Sequence, residues 1–333
     1  MNERAQVVKA LRPGLVCSLA EIAAACQLEE RAVQDALDGL RADGVPIEAV
    51  EQNAFCLTET RSPMDRSRLE AALERLEFLS PGRFELLDTV DSTSSWLDRK
   101  ARAGENIHRL ACITDFQSAG RGRRGRQWHG APYCHAMLSM GWEFKCAVDL
   151  LSGLSLSLGV VIAHQIRALT GVRVGLKWPN DLWCRNRKLG GILVESYPGG
   201  RDLTRVIVGI GLNLSEPGLK ALSPDYPVTD LASESDTALP PREDIVATLL
   251  AGLSRRLDSF PEEGFFVDQA QFNALDVFLG KEITVSSSTD ERLATGGGAD
   301  ESGGYRLLVA GHEEIISAGE LGLSLRDNAG SRA

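Results

Sequence analysis

The stretch "SLAEIAAACQLEERAVQDALDGLRADG" near the start of the chain distributes its apolar residues with the period of an α-helix. Leu19 and Ile22 follow a capping-type Ser18, and the pattern breaks near Gln27 and Leu28. Val33, Ala36, Leu37 and Leu40 then share one face of a second helix over 29–42, which Gly44 ends. "VPIEAVEQNAFCL" changes to the two-residue period of a short hairpin. Two helices, a turn and a hairpin predict a winged helix-turn-helix over residues 1–60. The polar, proline-containing "TETRSPMDRSR" predicts a linker over 61–67.

From 68 to 275 the two periodicities alternate. "GRFELLDTV", "RLACITDF", "AMLSMGWEF", "VRVGLKW", "DLWC", "GGILVES" and "RVIVGIGLNL" read as strands. "STSSWLDRKARAG", capped by Ser92 or Ser94, reads as a helix, as do residues 150–169, "PREDIVATLLAGLSRRLDSF" with Pro241 near its start, and "GFFVDQAQFNAL". Tight turns, among them Pro198-Gly199-Gly200, suit antiparallel neighbours, so the class is α+β around a mixed sheet. Beyond Phe278 come four or five short β runs divided by Gly, Ser and Asp clusters, which predict a small barrel over 276–326.

Composition narrows the function classes. With 333 residues, 43% of them hydrophobic, the chain can bury a large core in two or three domains. The longest apolar stretch, 150–166, is interrupted by serines, His164 and Gln165, so it reads as a packed helix and no membrane span is expected. No secretory signal is visible in "MNERAQVVKA", so a cytoplasmic location is expected. Seven cysteines without a C-x-x-C pair argue against a disulfide framework or a zinc site. A formal net charge of −10 disfavours nucleic-acid binding by the whole surface, which leaves local basic patches.

One such patch is "QSAGRGRRGRQWHG" at 117–130, with Arg121, Arg123, Arg124 and Arg126 among glycines and no carboxylate from Phe116 to Trp142. Gly120, Gly122 and Gly125 satisfy G-x-G-x-x-G, but Gln127-Trp128-His129-Gly130-Ala131-Pro132 stands where a dinucleotide fold needs a helix. Arg126-Gln127 likewise replaces the Lys-Ser/Thr of a P-loop. A solvated basic turn is the plain alternative. Four guanidinium forks without a neighbouring acid favour a loop for a small polyanion such as a triphosphate.

A second constellation, "KWPNDLWCRNRKLGGILVES", puts Lys177, Lys188, Asn180 and Asp181 around one hairpin that runs through Gly190-Gly191. Two ammonium groups, an amide and a carboxylate suffice to neutralise a phosphate and bind a metal ion. "DSTSS" at 91–95 is by itself a helix cap, and "GIGLNL" at 209–214 a glycine-containing core strand.

Taken jointly, "GRGRRGRQW", "KWPNDL", "KLGGILVE", "DST" and "GIGLN", in this order, resemble the biotin protein ligases over essentially the whole chain. The resemblance implies a central domain of the class II aminoacyl-tRNA synthetase/biotin ligase type, the helix-turn-helix of bifunctional ligase/repressors before it and an SH3-like barrel after it. It also implies biotin, ATP and Mg²⁺ as reactants, with biotinyl-5′-adenylate formed first and its acyl group then passed to a lysine of the biotin carboxyl carrier protein.

Carried onto this sequence, Ser92, Thr93, Ser94, Gln117, Arg121, Gly122, Arg123, Lys188, Gly191 and Gly209 are expected around biotin. Arg121, Arg123, Arg124, Arg126, Trp128, Asn180 and Asn213 are expected around ATP and the adenylate, and Asp181 on Mg²⁺. Lys188, Arg123 and Asp181 are the expected catalytic groups. Ser94 stands where the family commonly has asparagine. The family also implies a weak homodimer formed through the central sheet and, for the bifunctional type, operator DNA. Residues 1–61, however, hold six basic against ten acidic side chains, and the stretch "LEERAVQDALDGLRADG" around the second helix carries five acids and two arginines. Phosphate contacts need cations, so the ligase role is favoured over repression.

Overall fold

The computed structural model describes residues 3–51, 53–78, 83–200, 202–215, 227–286, 291–317 and 322–325. Helix α1 (Glu3–Ala10), strand β1 (Val16–Ser18), helices α2 (Leu19–Cys26) and α3 (Glu30–Ala42), and strands β2 (Ile47–Glu51) and β3 (Ala54–Leu57) form the amino-terminal unit. Ser18 caps α2 in a capping box with Glu21, and Gln27 ends it in the left-handed conformation. Val33, Ala36, Leu37 and Leu40 of α3 are buried, as their spacing predicted. Helix α1, whose few apolar residues give no clear period, completes this core with Val7 and Val8. The three strands form an antiparallel sheet in the order β1-β3-β2.

The predicted linker is docked chain. Arg61 and Met64 are buried, the Arg61 guanidinium donates to Pro132 O at 3.3 Å, and Met64 N donates to Asp115 Oδ2 at 3.2 Å. Asp65 then caps α4 (Arg66–Arg75).

The central unit follows as β4 (Arg83–Val90), α5 (Thr93–Arg102), β5 (Leu110–Gln117), β6 (Gly120–Arg121), β7 (Gln127–Trp128), β8 (His135–Phe144), α6 (Leu154–Thr170), β9 (Gly175–Lys177), β10 (Asp181–Cys184), β11 (Arg187–Gly200), β12 (Leu203–Asn213), α7 (Leu231–Glu234), α8 (Arg242–Glu263) and α9 (Phe266–Leu275). Seven strands form one sheet in the order β4-β5-β8-β12-β11-β10-β9. Only β4 and β5 run parallel, joined by α5, as a parallel pair requires a crossover. Helices α6 and α8 pack on one face of the sheet, with α4 and α9 against them, and α5 lies against β5, β8 and β12.

Two boundaries differ from the pattern. The long helix begins at Leu154, not at residue 150, because Val148–Leu151 form a 3₁₀ turn and Gly153 has φ 75°. Gly303 of the last unit approaches so closely there that a Cβ on it would lie 2.6 Å from Gly153 Cα. The stretch Val148–Thr170 has the length and composition to cross a membrane. Within this fold Leu154, Leu156, Leu158, Ile162 and Ile166 are buried in the core instead. At the other boundary, Pro198 and Gly200 are still paired in the ladder, with Thr204 and Leu203, so β11 runs through the predicted turn and the chain reverses after it.

The tail holds β13 (Glu282–Ser286), β14 (Glu291–Ala299), β15 (Tyr305–Val309), β16 (His312–Ile316) and β17 (Gly322–Leu325), an antiparallel sheet in the order β16-β15-β14-β13-β17. Its core is continuous with that of the central unit: Trp178 and Tyr305 rings lie 5.5 Å apart, and Trp178 Nε1 donates to Gly303 O at 3.1 Å.

Candidate functional site

Beside α5, the sheet and the 120–128 segment enclose a cavity of about 380 Å³. That volume is in the range of small-molecule sites. Its two ends differ in chemistry.

One end is neutral and polar. Ser92 caps α5, which places Thr93 and Ser94 in the first turn over β8. Thr93 Oγ1 lies 2.6 Å from Ser139 Oγ, Ser94 Oγ lies 2.9 Å from it, and the Thr93 N–H donates to Gln117 Oε1 at 2.8 Å. Three hydroxyls and an amide that can each donate or accept suit a ligand group carrying both N–H and C=O. Gly209 makes room for them, since a Cβ there would sit 2.7 Å from Ser94 Oγ and 3.3 Å from Ser139 Oγ. Thus Ser94 works with the strand beneath it.

The roof is the arginine segment. It folds back on itself, with β6 and β7 paired antiparallel and a 3₁₀ turn over Arg123–Gly125 between them, and no helix follows. The rejection of a dinucleotide motif therefore holds in the structure. Arg121 donates to Ser95 Oγ at 3.1 Å and pairs with Glu195 of β11, so the acid missing from the local sequence comes from across the sheet. Trp128 packs on bare backbone: a Cβ on Gly211 would lie 2.5 Å from its Cε2.

The other end is cationic. Arg123 Nη1 donates to Asn180 Oδ1 at 3.0 Å, and Asn180 Nδ2 donates to Ile192 O at 3.0 Å, which ties the roof to the turn before β10. Burial, then the neighbouring Arg124, pulls the Arg123 guanidinium below its ordinary pKa. Lys188 Nζ lies 2.8 Å from Asp181 Oδ1. Lys177 is pushed down to about 8, first by burial and also by Lys188 and Arg126, with Asp181 opposing. Its amine lies over the Trp183 ring at 4.4 Å. A cluster of partly desolvated cations is favourable only with anions between them.

The expected residues Ser92, Thr93, Ser94, Gln117, Arg121, Gly122, Arg123, Arg124, Arg126, Trp128, Asn180, Asp181, Lys188, Gly191 and Gly209 all line this cavity. Asn213 does not. Its Nδ2 donates to Thr229 O at 2.9 Å and its Oδ1 faces His135 Nδ1 at 3.2 Å, so the amide is consumed inside the protein. His135 is pushed down to about 4 by burial and is the neutral donor of that pair. Asp181, expected on Mg²⁺, is the counter-ion of Lys188, and among the described residues no group of three His, Cys, Asp or Glu could hold a metal ion. A single carboxylate suits Mg²⁺ that arrives with phosphate oxygens already attached. Ser139 and Glu195 went unnoticed in the sequence. Each is a polar residue within a largely apolar run, "AMLSMGW" for Ser139 and "GGILVES" for Glu195, and the β8–β12 and β11–β12 registers bring them to the site.

A family model described as "Biotin/lipoate A/B protein ligase family" matches residues 86–213, which carry most of this cavity. The chain is 29% identical over 296 residues to the bifunctional ligase/repressor BirA of Escherichia coli, covering 89% of each chain. It is 31% identical over 220 residues to the biotin--[acetyl-CoA-carboxylase] ligase of Paracoccus denitrificans, covering 62% of this chain and 86% of that one. Among solved structures, the biotin protein ligase from Aquifex aeolicus in complex with biotin and ATP superposes with a TM-score of 0.61 at 25% identity, over 73% of this chain and 99% of that one.

Proposed function

The chain belongs to the biotin/lipoate A/B protein ligase family, and from that premise we propose that it is an ATP-dependent biotin protein ligase acting on the biotin carboxyl carrier protein of acetyl-CoA carboxylase. The observation that carries the reading is the polarity of the cavity, with a neutral hydroxyl–amide end and a cationic end 

joined under one arginine roof.

The ureido ring of biotin, with two N–H donors and one carbonyl, belongs at Thr93, Ser94, Gln117 and Ser139. Its valerate chain then runs toward Lys188. In the first step a biotin carboxylate oxygen attacks the α-phosphorus of MgATP and pyrophosphate leaves. Both reactants are anions, so the barrier contains their repulsion, and fixed cations lower it without reorganisation. In this reading Lys188 bridges carboxylate and α-phosphate, and Arg123 covers the forming adenylate; their contacts with Asp181 and Asn180 at the cationic end support it. Arg121, Arg124 and Arg126 face the remaining phosphate oxygens, and Trp128 offers a ring face to adenine. Asp181, the carboxylate that lines the cavity, would hold the Mg²⁺ carried by the nucleotide, and the ion would offset phosphate charge there. In the second step a carrier lysine amine attacks the acyl carbonyl, AMP leaves and the amine loses a proton. The roof keeps water from the mixed anhydride until then.

In this reading the amino-terminal unit is a winged helix-turn-helix, the tail an SH3-like barrel, the active form a weak homodimer paired through the central sheet, and the location cytoplasmic. Operator DNA is a secondary partner, because the fold of the amino-terminal unit suits it and its charge does not.

The test is biotin-dependent exchange of labelled pyrophosphate into ATP. Exchange is expected with biotin and not with lipoate, and lipoate-only exchange would move the chain to the other branch of the family. Lys188→Ala and Arg123→Ala should each slow exchange by roughly 100-fold, as loss of a preorganised charge does, with circular dichroism unchanged. Wild-type rates in both variants would refute the assignment of these two residues.

A further inference from the structure

Lys188 stands at the irregular end of β11. Leu182 pairs with Gly190 but Trp183 pairs with Lys188, so Leu189 is the extra residue of a bulge, and pairing with β12 starts only at Gly190. The Lys188 backbone is instead held by chain from outside the sheet: its N–H donates to Pro227 O at 2.9 Å and its carbonyl accepts from Thr229 N at 2.9 Å.

That outside chain is tied down at one buried carboxylate. Glu234 closes α7, and its side chain is 0% exposed. It accepts from Thr229 Oγ1 at 2.6 Å, from Arg187 Nη2 at 2.6 Å and from Cys184 Sγ at 3.3 Å, with Arg185 Nε at 3.4 Å. Cys184, Arg185 and Arg187 belong to the tight β10–β11 turn, in which Arg185 and Asn186 have φ of 46° and 61°. One carboxylate therefore gathers the turn just before Lys188 and the segment that brackets its backbone. A buried anion is costly unless every partner is in place, so such a centre favours one arrangement of its neighbours.

We propose that Glu234 is a positioning residue for adenylate formation: by clamping Arg187 and Thr229 to one point, it fixes the strand end that presents the Lys188 amine between carboxylate and α-phosphate. This rests on the reading of the cavity as an adenylation site. Asn213 belongs to the same device, since it holds the Thr229 carbonyl from the opposite side. The glycine-strand motif "GIGLN" thereby acquires a role in supporting Lys188.

The experiment uses the full chain and separates the half-reactions. Glu234→Gln should slow biotin-dependent pyrophosphate exchange by roughly 10- to 100-fold, the effect of misplacing a reacting group by about an ångström. Transfer from supplied biotinyl-adenylate should stay within about twofold, because Lys188 is not needed to join an anhydride already made. In a Lys188→Ala background the same substitution should slow exchange no further. Thr229→Val, which removes one clamp and no charge, should act in the same direction and serves if Glu234→Gln does not fold. Equal loss in both half-reactions, an undiminished effect without Lys188, or wild-type exchange in both variants overturns the proposal while leaving the ligase reading intact. Absence of biotin-dependent exchange in the wild type overturns both.

Discussion

Lys177 shows how a single side chain carries the chemistry of this site. Its amine is buried over Trp183 and Phe278, at 4.4 and 5.6 Å, and is pushed down to about 8. A lysine with that pKa is cationic below pH 8 and neutral above it. If phosphate binding uses the cation, kcat/KM for MgATP should fall as pH rises, by roughly tenfold between pH 7 and 9, because that parameter reports the free enzyme's ionisation. Lys177→Arg keeps its charge throughout this range and should flatten the profile. A fall of equal size in wild type and Lys177→Arg would assign the titration elsewhere. Lys177, Asn180, Asp181 and Lys188 were legible together because they crowd into one turn-containing motif. Asn213 was misread for a physical reason: the two-residue period puts it on the same strand face as Gly209 and Gly211, and nothing local reveals that Thr229 and His135 take its amide. Glu195 and Ser139 were silent for the converse reason, since their partners lie in distant segments.

Most elements of the fold follow local rules, and the exceptions mark where distant contacts take over. Capping by Ser18 and Ser92, the apolar stripe of α3 and the strand periods of β5, β8, β10 and β12 were all readable from neighbours in sequence. The delayed start of α6 was not, because Gly153 before it is crowded by Gly303 and Phe265, which are distant in sequence. The same logic makes β12 a floor for the roof. A Cβ on Gly211 would lie 2.5 Å from Trp128 Cε2 and 2.6 Å from its Cζ2. Gly211→Ala should therefore lift Trp128 and loosen β6–β7 while leaving the ladder of β12 with β8 and β11 in place. Trypsin should then cut the arginine segment several-fold faster, and KM for ATP should rise roughly tenfold if the ring stacks on adenine. Unaltered cleavage and KM would mean that the tryptophan is only a lining residue.

At the scale of the whole molecule, the amino-terminal unit is the part whose architecture and charge disagree. It has a helix pair and a hairpin, and relatives named bifunctional ligase/repressors match across 89% of the chain. Yet on α3 the exposed charges are Glu30, Asp35 and Asp38 against Arg31 and Arg41, and Arg41 already lies 3.8 Å from Asp38. On β2, Glu48 and Glu51 are exposed. DNA affinity grows with the number of phosphates neutralised, and each contact contributes about 0.9 to the slope of log K against log salt. Two arginines on such a face predict a slope shallower than about −3 and no specific shift of a biotin-operon promoter at about 0.15 M salt, with biotin and ATP present. A steep slope with nanomolar, sequence-specific binding would show that cations from elsewhere, such as a second protomer, complete the surface. The chain that leaves this unit is tied to the central unit, because Arg61 and Met64 bond the segment that leads from the arginine roof into β8, at Pro132, and strand β5, at Asp115. Removing residues 1–60 would cut the chain one residue before this junction and expose it. The deletion should weaken biotin binding through the roof even though no residue of that unit lines the cavity, and titration calorimetry of the truncated chain against the full one measures it.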